Sequence, residues 1–184
     1  TVYYDRYIRG LWVAAEGIIY RTFADNPEAF IIDEPPKDDI AFCTIGVDFG
    51  GTGSAQAFQC TGFPRTLNRV ITLDEYYTKA PVDPKRQLMK GRRVVEIRAD
   101  SAEQVLIRGL QTALAKAGLP YQVKNAMKGS INERIRFYTL LQGAGRYQVV
   151  KTCEHTIDAF STVTWKPGAL RDERLDNGTN NIDT

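Results

Sequence analysis

The sequence predicts an α/β fold in which a mixed β-sheet, antiparallel at its start and parallel afterwards, is flanked by helices. Two observations lead to this prediction. Three strand-like segments come first, and from residue 93 onward strand-like and helix-like patterns alternate. The composition agrees, because 184 residues with 43% hydrophobic and 25% charged side chains are typical of a globular domain. Collagen, coiled coil and wholesale disorder are thereby excluded.

The antiparallel part of the predicted sheet lies in the first half of the chain. Residues 41–48 have the apolar pattern of a buried strand that ends at an aspartate. A glycine-rich turn at 50–53 separates them from residues 54–60, which alternate between polar and apolar, so the two segments predict a β-hairpin. Residues 69–77 are rich in β-branched and aromatic side chains and supply a third strand.

The second half of the chain predicts strands and helices in alternation. Ser101 and Gly118 have the positions of an N-cap and a C-terminal glycine for one helix, and Ser130 with Glu133 has the spacing of a capping box for the next. The predicted elements are a strand at 93–99, a helix at 102–117, a strand at 121–124, a helix at 130–141, a strand at 147–150 and a helix at 154–164.

Composition divides the chain into three parts. Residues 1–40 are aromatic and apolar without a clean period and end in a proline-rich, charged stretch, which is typical of a segment that connects one domain to another. Residues 41–165 form the predicted domain. Residues 166–184 are charged and rich in Asn, Asp and Gly, which predicts a loop or a mobile tail.

Several classes of protein are excluded by what the sequence lacks. The three cysteines are scattered without CxxC spacing, which favours reduced, structural thiols. The single histidine, His155, argues against a His-rich metal site and against a Ser-His-Asp triad. Apolar runs are too short to span a bilayer, and no secretory signal opens the sequence. We therefore expect no membrane partner, and any chemistry is expected to use carboxylates.

The net charge of +2 does not by itself indicate a nucleic-acid partner, but the distribution of basic residues is uneven. Such clusters either follow a phosphate backbone or form a solvated charged face. The clustered residues are Lys85, Arg86, Lys90, Arg92, Arg93 and Arg98, followed by Lys124, Lys128, Arg134 and Arg136.

Two aspartates end predicted strands, and this pattern suits a metal site. Asp48 follows the first strand of the hairpin and Asp100 follows the strand at 93–99. Ligands of open α/β sheets bind beyond the carboxyl ends of strands, so the two carboxylates would converge if their strands are neighbours. Converging carboxylates are what a two-metal phosphoryl-transfer site needs. The structural alternatives remain open: Asp48 as a turn cap, and Asp100–Ser101 as a helix N-cap.

These motifs, taken in order, resemble the C-terminal nuclease domain of a phage terminase large subunit. Residues 10–20 are similar to the segment between the ATPase and nuclease domains of that family, and residues 45–54 match its first nuclease motif. Residues 100–103 match the second motif, and residues 128–131 resemble a Lys-Gly-Ser-Ile stretch before a helix. Residues 160–165 resemble the family's late helix and aromatic.

The resemblance implies an RNase H-like fold and a metal-dependent endonuclease that cuts concatemeric viral DNA during genome packaging. It implies two Mg²⁺ or Mn²⁺ ions, with Asp48 bridging both and Asp100 binding one. Lys128 and Ser130 are implied as DNA-binding residues. Double-stranded DNA, the portal protein and the small terminase subunit are the implied partners, and the cytoplasm of the bacterial host of a phage or prophage is the implied location.

The third acidic motif of the family falls at the end of this sequence. Residues 176–184 resemble the approach to that motif, and Asp183 is either the third metal ligand or a residue just upstream of it. Because no helical run follows Asp183, we expect a mobile third carboxylate, weak metal affinity, and activity that is low or Mn²⁺-dependent. Asp158 imitates the motif but aligns with the preceding helix, and Asp74 and Glu75 are candidates for supporting acids.

Two other functions are compatible with parts of the sequence. Residues 48–52 also resemble the first phosphate loop of sugar kinases of the actin-like ATPase superfamily, although no second such loop follows. A catalytically silent DNA-binding packaging module would keep the fold without the activity. The sequence contains no Gly-Lys dipeptide, so a Walker A loop and ATP hydrolysis by this chain are not expected.

Overall fold

A computed structural model describes residues 17–36, 39–50, 55–78, 91–100, 103–127 and 129–166 of the chain. Lys128, Ser101 and Asp183 lie outside these ranges, as do most of the predicted glycine turn and both predicted terminal segments. Among the described helices, none combines the length and the apolar character needed to cross a membrane.

The described residues form seven strands, four α-helices and one 3₁₀ turn. In chain order these are α1 (Arg21–Asp25), a 3₁₀ turn (Pro27–Ala29), β1 (Ile31–Ile32), β2 (Ile40–Asp48), β3 (Gln56–Pro64), β4 (Val70–Thr78), β5 (Val94–Ala99), α2 (Gln104–Lys116), β6 (Val123–Asn125), α3 (Ile131–Gly143), β7 (Tyr147–Val150) and α4 (Glu154–Thr162).

The strands form one mixed sheet in the order β1-β7-β4-β3-β2-β5-β6. Strand β3 runs antiparallel to both of its neighbours, β2 and β4, and the remaining pairs are parallel. The predicted α/β class, the hairpin and the later parallel strands are therefore confirmed. Because β2, β4, β5 and β7 all run in the same direction, their carboxyl ends point to the same edge of the sheet.

Each face of the sheet carries its own hydrophobic core. On one face, Ile107 and Leu114 of α2 pack against Ile45, Val47 and Ile97. On the other face, α1, α3 and α4 cover the half of the sheet around β7 and β4. Since side chains alternate along a strand, residues next to Val47 and Ile97 in sequence point to the second face, away from α2.

The second core includes residues that precede the predicted domain. Phe23 is fully buried, with its ring centroid 5.2 Å from that of Phe30, 5.3 Å from Phe160 and 6.4 Å from Tyr147. Strand β1 adds to the sheet through parallel pairing with β7. Residues 17–32 therefore contribute to this core, although the sequence indicated only a connecting segment there.

The chain entering and the chain leaving this unit lie side by side. Ile18 and Thr164 form an antiparallel bridge, in which the Ile19 amide donates to the Val163 carbonyl over 3.0 Å. The Trp165 amide donates to the carbonyl of Gly17, also over 3.0 Å. This pairing explains why α4 ends at Thr162 rather than at residue 164, as the sequence predicted: the following residues adopt extended backbone to pair with residues 17–19.

Strand β6 is also shifted from its predicted position at 121–124, and a side chain accounts for the shift. Gln111 of α2 donates from Nε2 to the Tyr121 carbonyl (2.9 Å) and accepts from the Val123 amide through Oε1 (2.7 Å). Strand pairing with β5 then begins at Val123. Helix α2 starts at Gln104 rather than 102, with Glu103 at the N-cap position.

We predict that Phe23→Ala lowers the free energy of unfolding by about 3–5 kcal/mol, the usual cost of emptying a buried aromatic site. The exposed Phe137, 53% accessible on α3, provides the matched control, and Phe137→Ala should stay within about 0.5 kcal/mol of the wild type. Denaturant unfolding of both variants measures the difference. Equal stability of the two variants would show that residues 17–32 do not belong to the cooperative core.

Candidate functional site

The two aspartates singled out from the sequence lie at the same edge of the sheet. Strands β2 and β5 are parallel neighbours, and the last pair in register is Val47 with Ala99. The Asp100 amide then donates to the Val47 carbonyl over 3.2 Å, which extends the pairing to the residues that carry the carboxylates. Adjacent strands lie about 4.8 Å apart, so the backbones of Asp48 and Asp100 are brought within reach of a shared ligand.

Asp48 is held by the turn that follows its strand. Its Oδ1 accepts a hydrogen bond of 2.9 Å from the amide of Gly50, whose positive φ of 64° is readily adopted by glycine. This contact is the one that the turn-cap interpretation anticipates. A carboxylate can accept about four hydrogen bonds or metal bonds, so a single bond leaves Asp48 able to coordinate a cation.

The segment after β6 reaches the same edge and begins α3 there. The Ala126 amide donates to the Ala99 carbonyl over 2.8 Å, one residue before Asp100. The predicted capping box is present: the Ser130 hydroxyl accepts from the Glu133 amide, and Glu133 accepts from the Ser130 amide. Ser130 therefore has a structural role at this helix start.

Asp74 lies away from the two aspartates, on the opposite face of the sheet. It pairs with Cys60 of β3, whose side chain packs with the core under α2, and it forms a 2.9 Å ion pair with Arg92. Burial alone would lower the pKa of Arg92, but the hydrogen bond to Asp74 outweighs it and the pKa is raised. Asp74 thus serves to hold a largely buried guanidinium.

Glu75 shares a face with Asp48 but is engaged at the start of α4. Its carboxylate accepts three hydrogen bonds, from the His155 amide (2.7 Å), the Thr156 amide (2.9 Å) and the Thr156 hydroxyl (2.7 Å). These bonds satisfy amides of the first helical turn, which lack partners inside the helix. The structure therefore gives Glu75 a capping role rather than a supporting role at the metal site.

Asp158 is located in the middle of α4, as its alignment with the preceding helix predicted. Partial burial raises its pKa, and nearby His155 opposes the shift. A single carboxyl whose burial disfavours its ionised form is a poor match for a cation site.

The donor chemistry of the edge suits a hard divalent cation. Asp48 and Asp100 offer carboxylate oxygens, which Mg²⁺ and Mn²⁺ prefer, and Mg²⁺ commonly binds through one or two carboxylates while keeping several waters. Within the described ranges, however, no group of three His, Cys, Asp or Glu side chains is placed to hold a metal ion. The two aspartates thus form a pair rather than a complete ligand set there.

A charged cluster beside the two aspartates was missed by the sequence analysis. Glu96 of β5 accepts hydrogen bonds from Arg98 and from Lys124 of β6. The sequence placed the two basic residues in separate clusters and gave no sign of the glutamate that joins them. Alternation along β5 was the available signal, because Glu96, Arg98 and Asp100 are spaced by two residues.

Comparison with known proteins relates this fold to one class of structures. No family model and no curated protein matches the sequence. The nuclease domain of the P22 large terminase is similar, with a TM-score of 0.70 and 15% identity over 93% of this chain and 90% of that one. The large terminase nuclease domain of bacteriophage SPP1, solved with bound Mn, has a TM-score of 0.64 and 19% identity over 83% and 90%.

A longer protein is similar over the whole chain. The full large terminase of a thermophilic bacteriophage, in complex with ATP-gamma-S, has a TM-score of 0.69 and 21% identity over 100% of this chain. This chain spans 47% of that protein. The fold is that of phage large terminase nuclease domains, which are RNase H-like, so the predicted fold class is confirmed. The sugar-kinase alternative is not favoured.

We predict that Glu75→Gln destabilises the protein by about 2–3 kcal/mol, because hydrogen bonds to a charged group contribute about 1.5–3 kcal/mol each and the amide cannot accept all three. Its affinity for Mn²⁺, measured by titration, should remain that of the wild type. Glu28→Gln, an exposed position in the 3₁₀ turn, is the control for loss of one negative charge. A weaker Mn²⁺ affinity in a folded Glu75→Gln protein would instead place Glu75 among the metal ligands.

Proposed function

We propose that this chain is a divalent-metal-dependent DNA endonuclease, the nuclease domain of a phage large terminase that cuts concatemeric viral DNA during packaging. The observation that supports it most directly is the pair Asp48 and Asp100, carried at the carboxyl ends of parallel neighbours in a terminase nuclease fold. A Mn-bound relative with that fold makes a metal at this edge a natural hypothesis.

The proposed site assigns a different task to each carboxylate. Asp48 bridges two Mg²⁺ or Mn²⁺ ions, and its bond from the Gly50 amide fixes the orientation in which it does so. Asp100 binds one of the ions from the neighbouring strand. When bound, such ions activate an attacking water and stabilise the leaving oxygen of a phosphodiester. The protein's own contribution is to place two negative charges side by side on a rigid sheet, where they attract cations.

A third carboxylate is proposed to come from the C-terminal part of the chain. The resemblance points to Asp183 or to an acidic residue immediately after it. Two carboxylates alone leave two divalent cations with an excess of positive charge, which a third anionic ligand reduces. We place Lys128 and Ser130, next to α3, on the proposed path of the DNA backbone; Ser130 can donate from its hydroxyl while it accepts from Glu133.

The organisation of the larger protein follows from the same proposal. Residues 1–40 would include the connection to an ATPase domain, residues 41–165 the nuclease domain and residues 166–184 the terminal segment. Double-stranded DNA, the portal protein and the small terminase subunit are the proposed partners, in the cytoplasm of a bacterial host. The fact that the large terminase of the thermophilic bacteriophage is about twice as long as this chain supports such an arrangement.

We predict that the wild-type chain nicks or linearises plasmid DNA with Mg²⁺ or Mn²⁺ and that EDTA abolishes cleavage. Asp48→Asn keeps the shape and removes the charge, so the rate should fall about 100-fold or more, since metal stabilisation is worth several kcal/mol and about 1.4 kcal/mol is tenfold. Asp158→Asn is the matched control and should cleave at the wild-type rate. If Asp48→Asn also cleaves at that rate, the assignment of Asp48 is wrong.

We also predict that Asp183→Asn weakens Mn²⁺ binding, measured by titration, while the melting temperature stays unchanged. Asp176→Asn, in the same terminal segment, controls for charge alone. A wild-type affinity for Mn²⁺ in the Asp183→Asn protein would show that the third ligand is another residue.

A further inference from the structure

The cluster of Glu96, Arg98 and Lys124 lies on the same face of the sheet as the two aspartates. Ile97 and Ala99 of β5 point into the core under α2, so Arg98 points to the other face, as Asp100 does. Arg98 is in register with Gly46 of β2 on one side and with Lys124 of β6 on the other. Neighbours in parallel register share a face, so the two basic side chains are adjacent.

Hydrogen bonds fix the guanidinium of Arg98. Its Nε and Nη2 donate to Glu96 over 2.7 and 3.0 Å, and Nη1 donates to the Asn125 carbonyl over 3.3 Å. These bonds use three of the five N–H groups of a guanidinium, so two remain for a ligand. The Lys124 ammonium donates to the same carboxylate over 3.1 Å and has two further N–H groups.

The charges of the cluster do not balance. Two cations share one carboxylate, which leaves a net charge of +1 on a surface where Arg98 is 33% and Lys124 is 58% exposed. Hydrogen bonds from Arg98 and Lys124 lower the pKa of Glu96, so the glutamate stays ionised at neutral pH. Exposed ion pairs contribute only about 0–1 kcal/mol to stability. The arrangement therefore has little value for folding but presents oriented donors to an anion.

Distance relates the cluster to the proposed metal site. Arg98 and Asp100 are two residues apart on one strand, a separation of about 6.6 Å. One strand of DNA carries a phosphate charge about every 3.4 Å along its axis, so a phosphate one or two nucleotides from the reacting one would lie near Arg98. Gly46 has no side chain, so β2 leaves the space between Arg98 and Asp48 open on this face.

We propose that Arg98 and Lys124, oriented by Glu96, form a phosphate-binding subsite that holds the DNA backbone next to the phosphodiester cleaved at Asp48 and Asp100. This inference rests on the proposed endonuclease function. An alternative role for Lys124 is protection of the edge strand β6 against pairing with another chain, a common use of lysine. That role requires no contact with DNA.

The test measures binding of a fluorescent DNA duplex to the full 184-residue chain in EDTA, where cleavage cannot occur. Arg98→Gln and Lys124→Gln should each reduce the slope of log affinity against log salt by about 1, equally for duplexes of unrelated sequence. The range of about 50 to 200 mM salt is the informative one. Glu96→Gln removes an anion and should tighten binding at low salt.

Two ion-paired residues elsewhere on the surface are the matched controls. Arg69 is 28% exposed and pairs with Asp39, and Lys151 is 58% exposed and pairs with Asp33. Lys151 follows β7, five strand spacings from β6, or about 24 Å. Arg69→Gln and Lys151→Gln should keep the wild-type slope. Lys124→Gln, on an exposed edge strand, preserves the test if Arg98→Gln fails to fold.

The outcomes separate the subsite from the endonuclease. Slopes for Arg98→Gln and Lys124→Gln equal to those of the controls, or a Glu96→Gln protein that binds no more tightly, would overturn the subsite even if the wild type cleaves DNA. Reduced slopes in a protein that shows no cleavage with Mg²⁺ or Mn²⁺ would support the subsite and remove the endonuclease proposal.

Discussion

The parallel pairing of β2 and β5 is the constraint on which the candidate site depends. The pairing of Val47 with Ala99 sets the register, and the bond from the Asp100 amide to the Val47 carbonyl carries it to the edge. A slip of one residue would turn one carboxylate towards the core under α2, because side chains alternate between faces. The buried side chains of Ile45, Val47 and Ile97 oppose such a slip, since it would expose them.

The same alternation divides the residues of the sheet between stability and surface chemistry. Residues of β5 that face α2 are apolar and buried, whereas Glu96, Arg98 and Asp100 face the other way. Helices α1, α3 and α4 cover that second face mainly around β4 and β7, and Glu75 belongs to the covered part. One face thus contains acids with two different functions: Glu75 is bound to α4, while Asp48 and Asp100 stand at the strand ends.

Strands with a clear period could be predicted from the sequence, and short elements could not. The hairpin, β5, α2, α3 and α4 each contain enough residues to show a repeat or a cap. Helix α1 has five residues and β1 has two, too few for a period, and both are defined by contacts with distant residues such as Phe160 and Val149. Asp48 and Asp100 were found because they end strands. The partners of Glu75 and Glu96 lie 81 and 28 residues away in sequence, so their roles required the three-dimensional structure.

The bridge between Ile18 and Thr164 has a mechanical consequence. The backbone bonds at Gly17, Ile19, Val163 and Trp165 fasten the incoming chain directly to the outgoing one. A force transmitted along the polypeptide into Gly17 therefore passes to the segment that leads towards Asp183 without first deforming the sheet. The rigid pair at Asp48 and Asp100 is insulated from such a load, while the terminal acid lies in its path.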